Sequence, residues 1–435
     1  MKLLTIKKQD QQVLISILGR NFVIKRKRKP FNNRVLTKEI EKIKYSLLDT
    51  QSHSGLMYIF SHQELIMDLC LEVIYHQNIR KPFSFTKHMK KVESVNVGCW
   101  TKTPGCIFAN LPFLFKTNKY TITAEPDQQY ADCYCLWGTQ PYNGNLEVIK
   151  KARYDNHPLF ILEGGFISNI EGWSYKSNIT LYNSTISFLV DDLSPYYDAR
   201  RENRLEQMLN DQNLILTSDQ LLTARQSIKK IVENYITKYN HQPIYKPSIG
   251  RKNTKKILVV DQTYGDMSIT KGYATEKTFI SMLETAIKEN PEADIIVKTH
   301  PDVVAGAKGY YTGIKQNGQI YPLTEAINPI SLIQYVDKVY VCTSQLGFEA
   351  VMCGKEVHVF GMPFYAGWGL TIDYQRNIRR RNKRSLEEIF YITYIMYTHY
   401  ISPITKDLCS LNEALDYIID TRESYFNERK IRYEK

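Results

Sequence analysis

The sequence predicts an α/β protein built on parallel sheets. Two stretches support this prediction, because short apolar segments alternate with helix-like segments between residues 130 and 165 and again between residues 256 and 360. This alternation is typical of βαβ units, in which a helix connects two parallel strands. A chain of 435 residues also exceeds the roughly 250–300 residues at which single cores stop growing. We therefore expect two α/β domains with further segments attached.

The first α/β domain begins with the strand-like segment YADCYCLWG, from Tyr130 to Gly138. A helix around Asn143 to Arg153 follows, and then the strand PLFILEGG. Glu163 comes at the carboxyl end of this second strand, and the two glycines after it predict a sharp turn that exposes the carboxylate. A helix from about Leu221 to Tyr239 and a linker with proline, lysine and glycine close the domain.

The residues before this domain give weaker signals. Gln11 to Ile24 predicts a hydrophobic hairpin or an amphipathic element, and Thr37 to Asp49 predicts a capped helix. A second helical stretch, ELIMDLCLEVIYH, precedes what reads as a polar linker. Both a cap over an acceptor and a membrane-docking element are open as roles for residues 1–125.

The second α/β domain begins with the strand Ile257 to Val260 and the turn DQTYGDMS, which carries Asp261 and Asp266. A helix from Ala274 to Glu289 leads to the strand ADIIVKTHP, which His300 and Pro301 end. The strand KVYVCTS, the helix QLGFEAVMCG and the strand KEVHVF follow. Ligands bind at the carboxyl ends of parallel strands, so the polar residues after these strands predict an anion site.

The segment from Gly361 to Thr371, GMPFYAGWGLT, holds three glycines, one proline and three aromatic residues. Glycine widens the allowed backbone angles and proline fixes one of them, so this segment predicts a shaped loop rather than a helix or strand. After it, Arg376 to Arg384 contains six basic residues, and Ser385 caps a predicted helix, LEEIFYITYIMYTHY. The arginines fit either a solvated face or a site for a sugar acid or an anionic lipid. The predicted division is 1–125, 126–250, 251–375 and 376–435.

A formal net charge of +12 predicts an anionic partner: nucleic acid, a membrane surface or a charged sugar nucleotide. The densest basic run, Lys25 to Lys29, fits a solvated loop or contact with an anionic inner membrane. No nucleic-acid module accompanies it, so we expect no nucleic-acid partner. No apolar run approaches the roughly 20 residues of a membrane span, and MKLLTIKKQDQQ lacks a signal-peptide core. We expect a cytoplasmic protein, peripheral on the inner membrane, with reduced cysteines since none forms a CxxC pair.

Several of these segments together resemble a known family. They are KILVVDQTYGDMSIT, VKTHPD, VCTSQLGFEAVMCGKEVHVFGMPFYAGWGLT and RRNKRSLEEIFYITYIMY. The resemblance is to the bacterial capsule polysaccharide β-Kdo transferases of the KpsC type, and it covers about Ala131 to Pro403. It implies two Rossmann-like domains in a GT-B-like arrangement, with an N-terminal extension and C-terminal helices. It also implies transfer of Kdo, an acidic eight-carbon ketose, from CMP-β-Kdo with retention of configuration.

The resemblance is incomplete at one motif. The family pattern EDGFxRS reads EGGFISN here, which keeps Glu163, Gly165 and Phe166 but places Gly164 and Ser168 at its acidic and basic positions. The paired aspartates Asp191 and Asp192 match a family segment, and they fit either contacts with sugar hydroxyls or hydrogen bonds to a turn backbone.

Retention of configuration normally requires two displacements through a covalent intermediate on a carboxylate. The resemblance implies that Asp266 is this nucleophile, and we choose Glu163 as the base that activates the acceptor. For the donor we predict a set of residues at the strand ends and in the glycine-rich loop: Lys298, His300, Pro301, Thr343, Ser344, Gln345, Gly361, Pro363, Tyr365 and Trp368. Tyr365 or Trp368 is expected to wall the pocket. We expect neither a metal ion nor a cofactor besides the donor substrate CMP-Kdo, and a saccharide or glycolipid acceptor in capsule or lipopolysaccharide synthesis.

Two other functions stay open from the sequence. A transferase for another CMP-linked ulosonic acid, such as sialic acid, would keep the phosphate-binding residues and change the sugar pocket, as the changes at Gly164 and Ser168 allow. A non-catalytic scaffold for capsule assembly would not need Asp266 and His300. A hydrolase is disfavoured because the chain has no GxSxG motif.

Overall fold

The computed structural model describes residues 63–83, 85, 92–98, 108–117, 119–123, 131–141, 144–172, 179–304 and 306–434, and the backbone of three strands before residue 26. Two predicted features lie outside these residues: the helix over Thr37 to Asp49 and the basic run after Lys25. Within the described residues, none of the helices has the length and apolar character needed to cross a bilayer.

The described strands are β1 (Leu4–Gln9), β2 (Gln12–Ile17), β3 (Arg20–Lys25), β4 (Ser94–Gly98), β5 (Lys119–Thr123), β6 (Cys133–Trp137), β7 (Leu159–Gly164), β8 (Ser187–Asp191), β9 (Lys256–Val260), β10 (Asp294–Lys298), β11 (Ile320–Leu323), β12 (Lys338–Val341), β13 (Glu356–Val359), β14 (Ile372–Asp373), β15 (Thr398–Ile401) and β16 (Leu408–Cys409).

The described α-helices are α1 (Gln63–Asn78), α2 (Leu111–Phe115), α3 (Asn145–Asp155), α4 (Arg204–Asn210), α5 (Ser218–Glu233), α6 (Met267–Lys271), α7 (Glu276–Glu289), α8 (Pro301–Val304), α9 (Pro329–Tyr335), α10 (Leu346–Met352), α11 (Leu386–Phe390) and α12 (Leu411–Arg429). A π-helix, Tyr391–Met396, continues α11. The predicted α/β class with parallel-stranded sheets is confirmed.

The chain divides into two compact units. The first consists of Met1–Thr103, Phe115–Leu162 and Asp191–Ser194, and the second of Pro104–Leu114, Glu163–Val190 and Pro195–Lys435. The division into four segments at residues 125, 250 and 375 stays a prediction.

In the first unit, β4 pairs in parallel with both β5 and β6, and β6 pairs in parallel with β7. Tyr134 and Leu136 of β6 pack with Val148 and Ile149 of α3 in one buried cluster, which also includes apolar residues of α1. The prediction of a polar linker before this region was wrong for β4. Its segment SVNVG is short, yet Val95 to Gly98 are buried because the strand lies between two others. The hairpin prediction for Gln11 to Ile24 is confirmed by the antiparallel pairing of β2 with β3.

The second unit contains a six-stranded parallel sheet in the order β11-β10-β9-β12-β13-β14. Alternate residues of its central strands enter two different buried clusters. Ile257 and Val259 of β9 pack with Phe279 and Met282 of α7, whereas Leu258 and Val260 belong to a cluster on the other face. Burial of both faces explains why these strands read as continuous apolar runs.

Two helix predictions in this unit were too long. The helix expected to reach Tyr239 ends at Glu233, and the helix expected to run through Tyr400 is α11, the π-helix and then strand β15. Tyr400 pairs with Ser187 of β8 in an antiparallel ladder. The buried aromatic residues Phe390, Tyr394 and Tyr400 therefore lie on an α-helix, a π-helix and a strand, a change of secondary structure that helical spacing does not predict.

The basic segment after the aromatic loop is largely used to hold the fold together. Arg379 and Arg380 both pair with the buried carboxylate of Glu206, at 2.7 and 3.2 Å. Arg384 donates to the backbone carbonyls of Leu209 and Leu214, among others. These three arginines are therefore neither a solvated face nor free to bind an anion.

Candidate active site

Three neighbouring strands of the six-stranded sheet bring the predicted polar residues to one edge. Strand β9 lies between β10 and β12, so the turn after β9 is flanked by the segments after the other two strands. The hydroxyl Oγ1 of Thr263 lies 3.1 Å from Nδ1 of His300, and Nε2 of Gln262 donates to Oγ1 of Thr343 at 3.0 Å. Side-chain hydrogen bonds thus link all three strand ends into one site.

Gln262 is a part of this site that the sequence analysis missed. Its side-chain oxygen accepts from the backbone N–H of Thr343 at 3.0 Å, while its side-chain nitrogen donates to the hydroxyl of the same residue. The Ser268 hydroxyl lies 3.4 Å from that hydroxyl. Gln262 lies inside the turn DQTYGDMS. The prediction for this turn considered only its two aspartates and not its amide side chain.

His300 has a defined tautomer when it is neutral. Its Nδ1 accepts from the backbone N–H of Asp302 at 3.2 Å, so the ring proton belongs on Nε2, which can donate to a ligand. Burial lowers the pKa of His300, against the opposing effect of Asp302. Pro301 is exposed at the start of the short helix α8.

Lys298 and Asp261 are buried at the ends of β10 and β9. Burial lowers the pKa of Lys298 to about 8, and its ammonium donates to the carbonyl oxygen of Thr299 at 3.0 Å. Asp261 is 1% exposed. Burial raises its pKa although it accepts backbone N–H bonds from Gln262, Tyr310 and Tyr311. Asp261 therefore holds the adjoining loop in place rather than facing a ligand.

Asp266 is exposed at the N-cap of α6. Its Oδ1 accepts the backbone N–H of Ser268 at 2.7 Å, which fixes the direction of the carboxylate. Asp266 also interacts electrostatically with His300, Glu163 and Lys238. The structure therefore brings the two predicted catalytic carboxylates into one electrostatic group within the second unit.

Glu163 differs from its predicted setting. It lies within β7 and is partly buried, so the expectation of a sharp, exposed turn was wrong. Gly165 serves close packing instead, since a Cβ there would meet the Ser187 hydroxyl at 2.2 Å. Tyr197 donates to Glu163 at 2.8 Å. Burial raises the pKa of Glu163 to about 7, although this hydrogen bond and the charges of Lys238 and Lys271 oppose the rise.

Lys238 is the second residue that the sequence analysis missed. The predicted helix included it, whereas it lies in an irregular segment after the end of α5. There its carbonyl accepts the backbone N–H of Ser168, one of the two departures from the family pattern, at 2.9 Å. Its charge reaches Glu163 and Asp266. Lys271, over the ring of Tyr197 at 5.8 Å, adds a second cation to this carboxylate group.

The aromatic loop supports the site from within. Tyr365 is fully buried and donates to the carbonyl of Ser344 at 2.6 Å, and Trp368 is 1% exposed and donates to the carbonyl of Phe364 at 2.8 Å. The backbone of Gly361 lies so close to Thr343 that a Cβ would approach its methyl group to 2.7 Å. A role of Tyr365 or Trp368 as a pocket wall stays a prediction.

Pro363 and Gln345 connect the loop and α10 to neighbouring segments. The carbonyl of Pro363 accepts a hydrogen bond from the buried Arg380 at 2.5 Å, and the amide of Gln345 donates to the carbonyl of Phe166 at 2.8 Å. Phe166 in turn packs on Phe364 with ring centroids 4.8 Å apart. These contacts tie the strand-end site to the segment that follows Glu163.

Asp191 and metal binding are the remaining points of the sequence analysis. Asp191, in the first unit, accepts the backbone N–H groups of Leu193 and Ser194 at 2.8 and 3.2 Å, as a turn aspartate does. Among the described residues, no three His, Cys, Asp or Glu side chains are grouped as metal ligands.

Comparison with known proteins identifies a family and several relatives. The model of the family described as capsule polysaccharide biosynthesis protein matches residues 176–404. The capsule polysaccharide modification protein LipA of Neisseria meningitidis serogroup A is 39% identical over 302 residues, which cover 67% of this chain and 42% of LipA. The lipopolysaccharide-processing protein LpsZ of Rhizobium meliloti is 34% identical over 56% of this chain and 54% of LpsZ. This chain spans about half the length of these curated relatives.

Among solved structures, the chain resembles KpsC of Thermosulfurimonas dismutans, described as a beta Kdo 2,4 transferase. The two share 33% sequence identity and a TM-score of 0.66, over 75% of this chain and 98% of that structure.

Proposed function

Because this chain belongs to the capsule polysaccharide biosynthesis protein family, we propose that it is a retaining β-Kdo glycosyltransferase. It moves Kdo from CMP-β-Kdo to a saccharide or glycolipid acceptor in capsule or lipopolysaccharide synthesis. The observation that carries the proposal is the grouping of Asp266, His300 and Thr343 at adjoining strand ends, in a chain that matches nearly all of a solved KpsC transferase.

In the first displacement, a carboxylate oxygen of Asp266 forms a bond to the anomeric carbon of Kdo. The bond between that carbon and the phosphate oxygen breaks, and its electron pair leaves with CMP. In this proposal His300, through Nε2–H, and the ammonium of Lys298 offset the charge that grows on the phosphate. Thr343, held by Gln262, adds a hydroxyl to the same strand-end group.

In the second displacement, the acceptor hydroxyl attacks the same carbon and its proton passes to Glu163. The bond to Asp266 breaks and its carboxylate is restored, so two inversions give net retention. A pKa of about 7 suits Glu163 to this exchange, since a base works best when its pKa lies near the working pH.

The proposal includes no metal ion and no cofactor, because protein cations and hydroxyls are available for the phosphate. It includes contact with an anionic inner membrane, which the net charge of +12 supports. Transfer in excess EDTA at the rate seen without it is the expected result.

The test is CMP release from CMP-Kdo and from CMP-sialic acid, each with and without a Kdo-terminated glycolipid acceptor. Release that requires both CMP-Kdo and acceptor supports the proposal. Full-rate release without acceptor indicates a hydrolase, and release only from CMP-sialic acid indicates another ulosonic acid. If neither donor reacts with any acceptor, the scaffold function is favoured.

A further inference from the structure

Lys238 carries an ammonium group that interacts electrostatically with the candidate site. Its backbone is fully used, since the N–H donates to the Glu349 carboxylate and the carbonyl accepts from Ser168. Its Nζ lies 5.8 Å from the ring centroid of Tyr239. Within the described part of the chain, Nζ makes no hydrogen bond and no ion pair. Buried polar groups normally have hydrogen-bond partners. The three N–H donors of this half-buried ammonium are therefore available to a ligand.

A buried lysine of the same unit shows what a structural role requires. The ammonium of Lys256 donates to the carbonyls of Arg251 and Thr254 and to the Asp294 carboxylate, which uses all three donors. Lys238 differs from Lys256 in having its donors unused.

The surroundings of Lys238 keep the ammonium charged. Burial by itself lowers its pKa, but Tyr239, Tyr196, Glu163 and Asp266 together raise it above its ordinary value. The side chain is therefore a cation that interacts electrostatically with the proposed nucleophile and the proposed base.

The proposed reaction creates a need for such a cation. An ulosonic acid carries its own carboxylate on the anomeric carbon, the atom that Asp266 attacks in the function proposed above. Attack therefore brings two carboxylates next to each other, and like charges at such distances repel strongly where water is excluded. A positive group between them offsets this repulsion, whereas a neutral donor sugar would not require one.

We propose that Lys238 binds the carboxylate of the donor sugar and makes the site selective for acidic over neutral sugars. This inference rests on the proposed function, because it assigns the acidic group of the same donor. Lysine suits the task as a compact charge with three donors that can rotate toward the two carboxylates.

The experiment measures calorimetric binding of two probes to the CMP-bound protein: 2-deoxy-Kdo, which lacks the leaving group, and its neutral carboxamide. Wild-type protein should bind the acid at least about tenfold more tightly than the carboxamide. Lys238→Met should reduce this ratio to about one, and Lys238→Arg should keep most of it. The control Lys230→Met removes a lysine that pairs with Asp416 at the surface and should keep the wild-type ratio.

A folded Lys238→Met protein that still prefers the acid overturns the proposal, as does a wild-type protein that binds both probes equally or neither. If the methionine variant does not fold, Lys238→Gln repeats the test with a donor but no charge. A wild-type protein that prefers the acid but releases no CMP from CMP-Kdo would separate the role of Lys238 from the proposed transfer. Lys238 would then keep its role, and the proposed transfer would fail.

Discussion

At the amino ends of β9 and β10, Lys256 and Asp294 are paired with each other and with Arg251, and Asp294 is fully buried. At the carboxyl ends of the same strands, Lys298 has a backbone carbonyl and His300 faces a hydroxyl and a backbone N–H. The two lysines, Lys256 and Lys298, are buried to a similar degree, but their partners differ.

The pKa values show the consequence. Burial by itself raises the pKa of Asp294, but hydrogen bonds from Lys256 and Arg251 bring it below its ordinary value. Burial lowers the pKa of Lys298 to about 8, and it lowers the pKa of His300 although the charge of Asp302 opposes this. Charge is stabilised by the protein at one end and left for a ligand to stabilise at the other, as is typical of active sites.

The largest expected effect on catalysis comes from a residue at the carboxyl ends of these strands. Asp266→Asn should reduce the rate of Kdo transfer by at least about 10⁴-fold, since a nucleophile is lost. The melting temperature should hold, because asparagine caps a helix as well as aspartate does. Steady-state kinetics and thermal unfolding measure both, with the exposed Asp219→Asn as the control. Transfer above a tenth of the wild-type rate would remove Asp266 from the mechanism.

A change at the amino ends of the strands should instead lower stability and leave catalysis unchanged. Lys256→Met leaves the buried carboxylate of Asp294 without its lysine, which should lower the free energy of unfolding by about 3–5 kcal/mol. The folded fraction should keep its transfer rate. Urea unfolding checks this against Lys230→Met, an exposed pair worth about 0–1 kcal/mol. Equal losses in the two variants would mean that the amino-end pairing contributes little stability.

Two glutamines, one inside the candidate site and one outside it, extend the comparison. Gln262→Leu releases Thr343 and should raise KM for CMP-Kdo by roughly tenfold or more, the cost of an unpaired polar partner. Gln319, which binds the carbonyls of Asn290 and Pro291 beside β11, serves as the matched amide. Gln319→Leu should change unfolding alone. A rise in KM from Gln319→Leu but not from Gln262→Leu would place the donor elsewhere.

The smallest effect concerns pH. Glu163 acts as a base only when deprotonated, so kcat/KM should rise with pH around a midpoint near its pKa of about 7. Tyr197→Phe removes a hydrogen bond that favours the carboxylate, so the midpoint should move to higher pH, by about one unit. Tyr182→Phe, which removes a hydrogen bond to the exposed Glu428, should leave the midpoint in place. A downward shift in Tyr197→Phe would contradict the assignment.

Much of the fold was predictable because apolar runs and turn residues are local signals. Strands β9, β10, β12 and β13 and helices α3 and α7 follow from them. The end of α5 and the strand β15 do not, since pairing with β8 overrides helical spacing at Tyr400.

The site was predictable only in part. His300, Asp266 and Thr343 follow strand-like segments, and parallel topology brings such positions together. Lys238 and Gln262 became visible only through their partners, because a lysine after a helix and an amide in a turn are ordinary in a sequence. The setting of Glu163 was missed since Gly165 serves packing against Ser187 rather than an exposed turn.

The most direct test of the central claim is intact-protein mass spectrometry after incubation with CMP-Kdo generated in situ and no acceptor. We expect wild-type protein to gain the mass of one Kdo residue, the Asp266→Asn protein to gain none, and the adduct to disappear when acceptor is added. An adduct of equal yield on Asp266→Asn, or transfer with acceptor but no adduct without it, would contradict Asp266 as the covalent nucleophile.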